Sequence, residues 1–254
     1  MATPATDMLL GFYLMTDKNE IEKPRMYASV REASRAYDQN MIDINEEILV
    51  KIDGEDVSTS VGRCIFNSIL PEGYPFVNER VSGGKISEIV QNIKDIYSME
   101  TVVNFLDDLK TMGFKYATDL GFSFGTEDCK LDFDVHSRIE EMEEKDVQLQ
   151  ENYLQGLITE KEKINLSTEM WNDFSTELAD EAWETLDKNN PVYEMVESKA
   201  NGGKIQARQV LTIKGVVRDS RGNWVPLPIK GNYRDGLSAF EYFVAANGGR
   251  KGIA

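Results

Sequence analysis

Histidine is nearly missing from this 254-residue sequence; His136 stands alone. One imidazole all but excludes metal centres and nucleophilic triads built on histidine. Cysteine is scarce as well. Cys64 and Cys129 have no CxxC spacing and no secretory leader precedes them, so reduced thiols in a cytosolic chain are expected. Long apolar runs are lacking too. The run Met8 to Met15 is too short to cross a bilayer and has no signal-peptide layout, so no membrane partner is expected. Positive charge is in deficit: 28 Lys and Arg against 44 Asp and Glu leave a net charge of −16. That balance argues against a surface that wraps nucleic acid along its whole length.

The negative charge is unevenly placed. Asp132 to Asp187 holds 17 acidic and 4 basic residues, a net of −13, which leaves −3 for the remainder. One segment is therefore an acidic projection on a nearly neutral body. At 254 residues the chain can build one large or two small domains.

Residues 1–16 read as a short apolar helix begun by Thr6 or Asp7. A polar insertion follows, and Ser29 with Glu32 forms a capping box that opens a helix reaching Tyr37. Ile48 to Asp53 alternates like a strand and Gly54 turns it. Ser58 to Asn78 reads as strand, helix, then a loop punctuated by Pro71, Gly73 and Pro75. Two amphipathic helices come next, over Lys85–Tyr97 and Met99–Met112. Their apolar faces are Ile86, Ile89, Ile93, Ile96 and Val102, Phe105, Leu106, Leu109.

Asp132 to Asp187 is helical in pattern with two seams. Ile139, Met142, Leu149 and Tyr153 make one; Ile164, Trp171, Phe174, Leu178 and Leu186 make the other. Gly156 breaks between them, and Thr159 with Glu162 restarts the helix as a capping box. Two seams around a short break predict an antiparallel helical hairpin with arms on the order of 35–40 Å. Asn190-Pro191 ends it. Val216 to Leu227, with Gly222 at the turn, reads as a β-hairpin. The final run, Leu237 to Ala246, carries Leu237, Phe240, Phe243 and Val244 at helical spacing. Asp235 and Ser238 offer capping chemistry, Asn247-Gly248-Gly249 interrupts, and Arg250 and Lys251 follow. That spacing predicts a buried helix with a glycine stop and two cations beyond it.

Several of these stretches together resemble the beta-prime subunit of multisubunit bacterial-type RNA polymerase. Asn232, Tyr233, Arg234, Asp235, Gly236, Leu237, Tyr242, Phe243, Gly248, Arg250, Lys251, Gly252 and Ala254 fit the family's start of the bridge helix, with Asn247 and Gly249 replacing a histidine and an alanine. Pro4, Asp7, Met8, Leu10, Gly11, Tyr13 and Thr16 fit an earlier family segment, as do Ser58–Asn78 and Gly113–Asp128. Gly156, Leu157, Thr159, Glu162, Asn165 and Trp171 resemble the signature between the rim helices of the secondary channel. Asn190 to Gly215 resembles the funnel stretch, with Asn201 where the family usually has arginine. The β-hairpin occupies the place of the family's F-loop. The resemblance covers most of the chain in the family's order.

Other signals weigh against chemistry of the chain's own. Asp132-Phe133-Asp134 is similar to part of the family's magnesium-binding aspartate motif, but a third aspartate and the glycine are missing and the order is wrong. These two aspartates are read as first-turn helix acids. Gly83-Gly84-Lys85 and Gly202-Gly203-Lys204 lack the phosphate-loop frame, although the second lies where the family lines its nucleotide entry path. Arg208 would either contribute to that path or pair with a buried acid.

The resemblance implies an α+β, mainly helical chain with a long antiparallel helical hairpin projecting from a mixed pore/funnel domain. The boundaries are a pore/funnel domain at 1–131, the acidic rim hairpin at 132–188, a funnel and F-loop region at 189–236, and the start of the bridge helix at 237–254. It implies a segment of the wall and rim of the secondary, nucleotide-entry channel in DNA-templated RNA synthesis. No residue would be catalytic or hold a metal; magnesium would belong to the assembled polymerase. Channel residues would be Asn201, Gln206, Arg208, Arg234, Arg250 and Lys251; the factor-docking rim would be Leu157, Thr159, Glu162 and Asn165. Partners would be beta and the remaining parts of beta-prime, secondary-channel transcription factors, and DNA, RNA and nucleoside triphosphates within the assembled enzyme. The setting would be the cytoplasm of a bacterium or of a phage-infected host. Because the aspartate motif lies upstream of Met1 in the family, either a naturally split subunit, as in some large phages, or an excised segment is expected. The alternative is a stand-alone acidic coiled-coil protein that docks a regulator.

Overall fold

A computed structural model describes residues 4–52, 54–219 and 221–253, with side chains up to Ala246. The chain is mainly helical with one small sheet, as expected, and it forms two compact units. One comprises Met1–Ser123 and Glu194–Asn201; the other comprises Phe124–Tyr193 and Gly202–Ala254.

The first unit opens with α1, Asp7–Met15. Its N-cap is Thr6, which makes no side-chain cap bond. The unit then runs through β1 (Arg25–Tyr27), α2 (Val30–Asp38), β2 (Glu47–Ile52), β3 (Glu55–Ser60), α3 (Val61–Asn67), α4 (Gly83–Ile96) and α5 (Met99–Leu120). Ser29 caps α2 by accepting from the Glu32 amide, while the Glu32 carboxylate reaches back to the Ala28 amide. β2 lies between its two partners, parallel to β1 and antiparallel to β3. The β2–β3 turn needs Gly54, whose φ of +93° lies where side chains are strained.

Two apolar clusters hold this unit. Ala33, Ala36, Ile42, Ile48, Val50 and Val61 pack α2 and α3 on the sheet. Phe12, Met15, Phe66, Ile89, Ile93, Phe105 and Leu109 join α1, α3, α4 and α5. The crossing of α1 with α5 is made by two glycines. A Cβ on Gly11 would lie 2.3 Å from the Gly113 carbonyl oxygen, and one on Gly113 would lie 2.9 Å from the Met8 Cβ. That contact explains why α5 does not stop near Met112 as its pattern predicts: Gly113 is an approach point inside the helix, which continues to Leu120. Ile96, expected on the apolar face of α4, is instead exposed at the end of the helix.

The second unit holds α6 (Val135–Leu154), α7 (Glu160–Thr185), α9 (Lys204–Leu211) and α10 (Ala239–Ile253); α8, Pro191–Glu197, links the two units in sequence. α6 and α7 form the antiparallel hairpin, with arms of 20 and 26 residues, about 30 and 39 Å at 1.5 Å per residue. Gly156 turns the chain at φ +75°. Ile139, Met142, Trp171, Phe174, Leu178 and Ile213 bury its base. Asp134 is the N-cap of α6, accepting from the His136 amide, and so precedes the first turn rather than lying in it. Gly215–Ile229 and Arg218–Trp224 are paired antiparallel, a sparse β-hairpin closed by the Asp219 carboxylate on the Arg221 and Asn223 amides.

The last helix departs most from its sequence pattern. α10 runs through Asn247-Gly248-Gly249 to Ile253 without the predicted interruption. Each glycine costs a helix only about 1 kcal/mol, a weak prior that context overrides. Nor is its aromatic face buried: Phe240, Tyr242 and Phe243 are each more than 60% exposed, and Val244 turns inward.

Candidate functional site

The tip of the α6–α7 hairpin is built by local chemistry. The Thr159 amide and hydroxyl both donate to the Glu162 carboxylate at 2.8 Å, and Thr159 Oγ1 accepts from the Glu162 amide. Those bonds, the backbone one first, hold the Glu162 carboxyl below its usual range. Both residues are therefore engaged in starting α7. Among the groups facing water there are Asn165 and the apolar Leu154 and Leu157, which are 72% and 69% exposed. An uncovered leucine pair on an acidic arm offers an apolar anchor ringed by charge.

Below the tip the arms are joined by polar links. Lys163 donates to Gln150 at 2.6 Å and lies over the Tyr153 ring, and Ser167 donates to Asp146 at 2.6 Å. Nearer the base Arg138 bridges Glu177 and Glu181 at 2.9 and 2.8 Å. Glu143 is not a free acid on the arm; Lys230 pairs with it across 87 residues of sequence.

The residues expected to line a channel sit in different local settings. Asn201 is exposed and ends the first unit. Gln206 is exposed on α9. Arg208, on the same helix, is partly buried, and no acid among the described residues pairs with it. Its NH1 donates to Ser175 Oγ at 3.1 Å, its Nε has no partner, and burial lowers its pKa. Arg234 is tied bidentately to Asp235 at 2.8 and 3.0 Å and to the Cys129 carbonyl at 3.1 Å. The side chains of Arg250 and Lys251 lie outside the described residues.

Asn232, read from the sequence only as part of the bridge-helix resemblance, and Glu241, which the sequence reading did not name, organise this region. Asn232 is buried, donates to the Thr212 carbonyl and to Asp235, and accepts from the Asp235 amide. The Tyr233 amide donates to the Gln209 carbonyl, which ties the turn to the end of α9. Glu241 accepts from the Lys230, Gly231 and Ser238 amides and from the Ser238 hydroxyl. Burial pushes its carboxyl up, and these bonds together outweigh burial and hold it low. The Ser238-x-x-Glu241 spacing is a capping-box signature that could have found it. A cavity of about 310 Å³ opens beside Asn232, floored by Leu131, Phe133, Ile139 and Leu211. Its cations are already neutralised, Arg234 by Asp235 and Lys230 by Glu143, so it presents no free positive charge to an anion.

Among the described residues no three His, Cys, Asp or Glu side chains converge, and the Asp134 carboxylate is engaged as a cap.

Residues 1–129 match the family model for RNA polymerase Rpb1, domain 3. The whole chain aligns with a DNA-directed RNA polymerase subunit beta' of Sulfurovum sp. at 33% identity, covering 17% of that protein. It also aligns along its whole length with the subunit beta' of Pelotomaculum thermopropionicum at 34% identity, covering 22% of it. Against the subunit beta' of Borrelia hermsii, 99% of the chain aligns at 32% identity and covers 19% of that protein. The chain thus spans about a fifth of the length of the curated relatives it matches.

Proposed function

Because the chain belongs to the RNA polymerase Rpb1 domain 3 family and corresponds to a middle segment of beta-prime, we propose that it works inside a DNA-directed RNA polymerase as part of the secondary-channel wall. The observation that carries this reading is the alignment of the entire chain, both units included, with beta-prime subunits. In this role the first unit is pore and funnel wall, the α6–α7 hairpin is the channel rim, the 215–229 hairpin is the F-loop, and α10 begins the bridge helix. Its partners are the beta subunit and the rest of beta-prime, and its setting is the cytoplasm of a bacterium or a phage-infected host.

On this reading the chain contributes walls and contacts, not the metal. The reaction, transfer of a nucleotide to the RNA 3′ end, depends on magnesium held by aspartates elsewhere in the assembly. Asn201, Gln206, Arg208, Arg250 and Lys251 face the nucleotide path there, while Arg234 supports the turn that precedes α10. At the rim, Leu157 anchors factors that enter the channel, the exposed Asn165 on α7 adds a polar contact, and Thr159 and Glu162 keep the tip folded.

Co-purification tests the proposal. A tagged copy expressed in its native host should bring down the large polymerase subunits in a complex that makes RNA on a DNA template. Recovery of the chain free of polymerase subunits would overturn it and favour the stand-alone acidic module.

A further inference from the structure

The two oxygens of Glu241 hold different things. Oε1 accepts the Lys230 and Gly231 amides, both at 3.0 Å. Oε2 accepts the Ser238 amide at 3.0 Å and the Ser238 hydroxyl at 2.8 Å. The Ser238 hydroxyl in turn accepts the Glu241 amide, which closes the cap of α10. The loop held by Oε1 is the end of the 215–229 hairpin: Ile229 pairs with Gly215, and the Gly231 carbonyl accepts from the Lys214 amide. Gly231 allows this approach. A Cβ there would meet Leu237 Cδ2 at 2.8 Å, the Gly236 oxygen at 3.1 Å and Glu241 Oε2 at 3.3 Å.

We propose that Glu241 is a two-sided clasp that positions α10, one oxygen capping the helix and the other gripping the 229–231 loop, so that the helix takes its direction from the hairpin. An ordinary capping box needs only one oxygen of the acidic residue. Here the second oxygen carries two backbone donors from ten and eleven residues earlier. What this direction sets is the outward presentation of Phe240, Tyr242 and Phe243, which protrude from the first turns of α10. The inference concerns the chain itself and does not depend on which assembly it joins.

Glutamine separates the two functions. Its amide has one acceptor oxygen, and its NH2 group can only donate. Placed against the same donors, it can cap the helix or grip the loop, not both. The test is residue-resolved amide exchange on the full chain and on the Glu241→Gln and Glu241→Ala variants. Glu241→Gln should speed exchange at least tenfold in one group, either Lys230 and Gly231 or Ser238, and leave the other within about twofold. Glu241→Ala should speed both groups. Protection at Leu178, fully buried in α7, reports that the unit remains folded. Retention of both groups in the Gln variant, loss of both in that variant, or unchanged Lys230 and Gly231 in a folded Ala variant would each overturn the proposal.

Discussion

The α1–α5 crossing and the α6–α7 hairpin are both contacts between two helices, but they exclude water by different means. At the first, two glycines remove side chains altogether, so backbone meets backbone around Gly11 and Gly113. At the second, large side chains bury the base, and polar links replace them toward the tip. The difference fits what each pair has around it. α1 and α5 lie in a cluster with apolar neighbours on several sides. The outer hairpin has water on most sides, where an apolar seam would expose its edges. A contact made by absence tolerates almost no addition, whereas one made by a ladder of modest links loses stability in small steps.

Breaking the hairpin's base should have the largest effect. Trp171 is 1% exposed and packs edge-on against Phe174 at 5.7 Å. Trp171→Ala should cost about 3–5 kcal/mol in urea unfolding followed by circular dichroism. Trp171→Phe sharpens the point. It keeps an aromatic ring and removes an indole N–H that is buried without a partner, so it should cost clearly less.

Adding one methyl group at the glycine crossing comes next. Gly11→Ala puts a Cβ 2.3 Å from the Gly113 carbonyl oxygen and 2.8 Å from the Ala117 amide nitrogen. Both are backbone atoms, so no rotamer change relieves the clash, and the cost should be about 3 kcal/mol. An unchanged thermal midpoint would mean that α1 and α5 are not held by close approach.

Much of this architecture is legible in the sequence because it depends on local chemistry. The caps at Ser29 and Thr159, the turn at Gly54 and the break at Gly156 follow from side chains bonding to their own neighbours. The two hairpin seams are legible because burial at the base follows the helical period. Partners brought together from afar are not legible. Nothing near Glu143 announces Lys230, and nothing near Arg208 announces that Ser175, not an acid, meets it. Gly113 and the aromatic stripe of α10 misled for one reason. Composition reports what a residue can do, while the neighbouring element decides whether a glycine is a stop or a contact, and whether an aromatic face is covered. The candidate site was legible at the hairpin tip, where sequence and structure are local. It was legible in part at Asn232 and Glu241: their contacts with Asp235 and Ser238 are local, but Thr212 and the Lys230 and Gly231 amides come from other segments.

Removing one link of the polar ladder should be milder. Ser167→Ala takes away the hydrogen bond to Asp146 and should cost about 1 kcal/mol, the usual net value of such a bond. A loss as large as that of Trp171→Ala would show that the outer hairpin is as tightly coupled as its base.

The acid response sharpens the contrast between units. Glu47, in the first unit, accepts from Lys18 and Ser58 and from the Ile21 amide, which lowers its pKa from 4.5 to about 2. A carboxyl with a depressed folded pKa stabilises the fold above its unfolded value, and that contribution fades as pH falls toward the folded one. The stability difference between the native chain and Glu47→Gln should therefore be full above pH 4.5 and shrink steadily toward about pH 2. A difference that stays constant over this window would mean that Glu47 is not held as an anion by the fold.

The smallest effect on stability should come from the hairpin tip. Leu157 is 69% exposed and precedes the Thr159 cap without joining it. Leu157→Asp removes little buried surface and adds a charge that water solvates, so unfolding should move by no more than about 0.5 kcal/mol. The exposed acid Glu144, midway along α6, changed to Ala, should be equally silent. Binding should separate the two. If the tip docks a channel-entering factor by an apolar anchor, Leu157→Asp should abolish that docking at any salt concentration. Glu144→Ala should weaken it only modestly, and mainly at low salt, since exposed charges are screened over roughly 10 Å at 0.1 M. Unfolding and factor binding are to be measured on the same two proteins. Normal docking by Leu157→Asp would mean that the exposed leucines are not the anchor. A large loss of stability in either variant would mean that the outer hairpin, like the α1–α5 crossing, has no tolerance to spare.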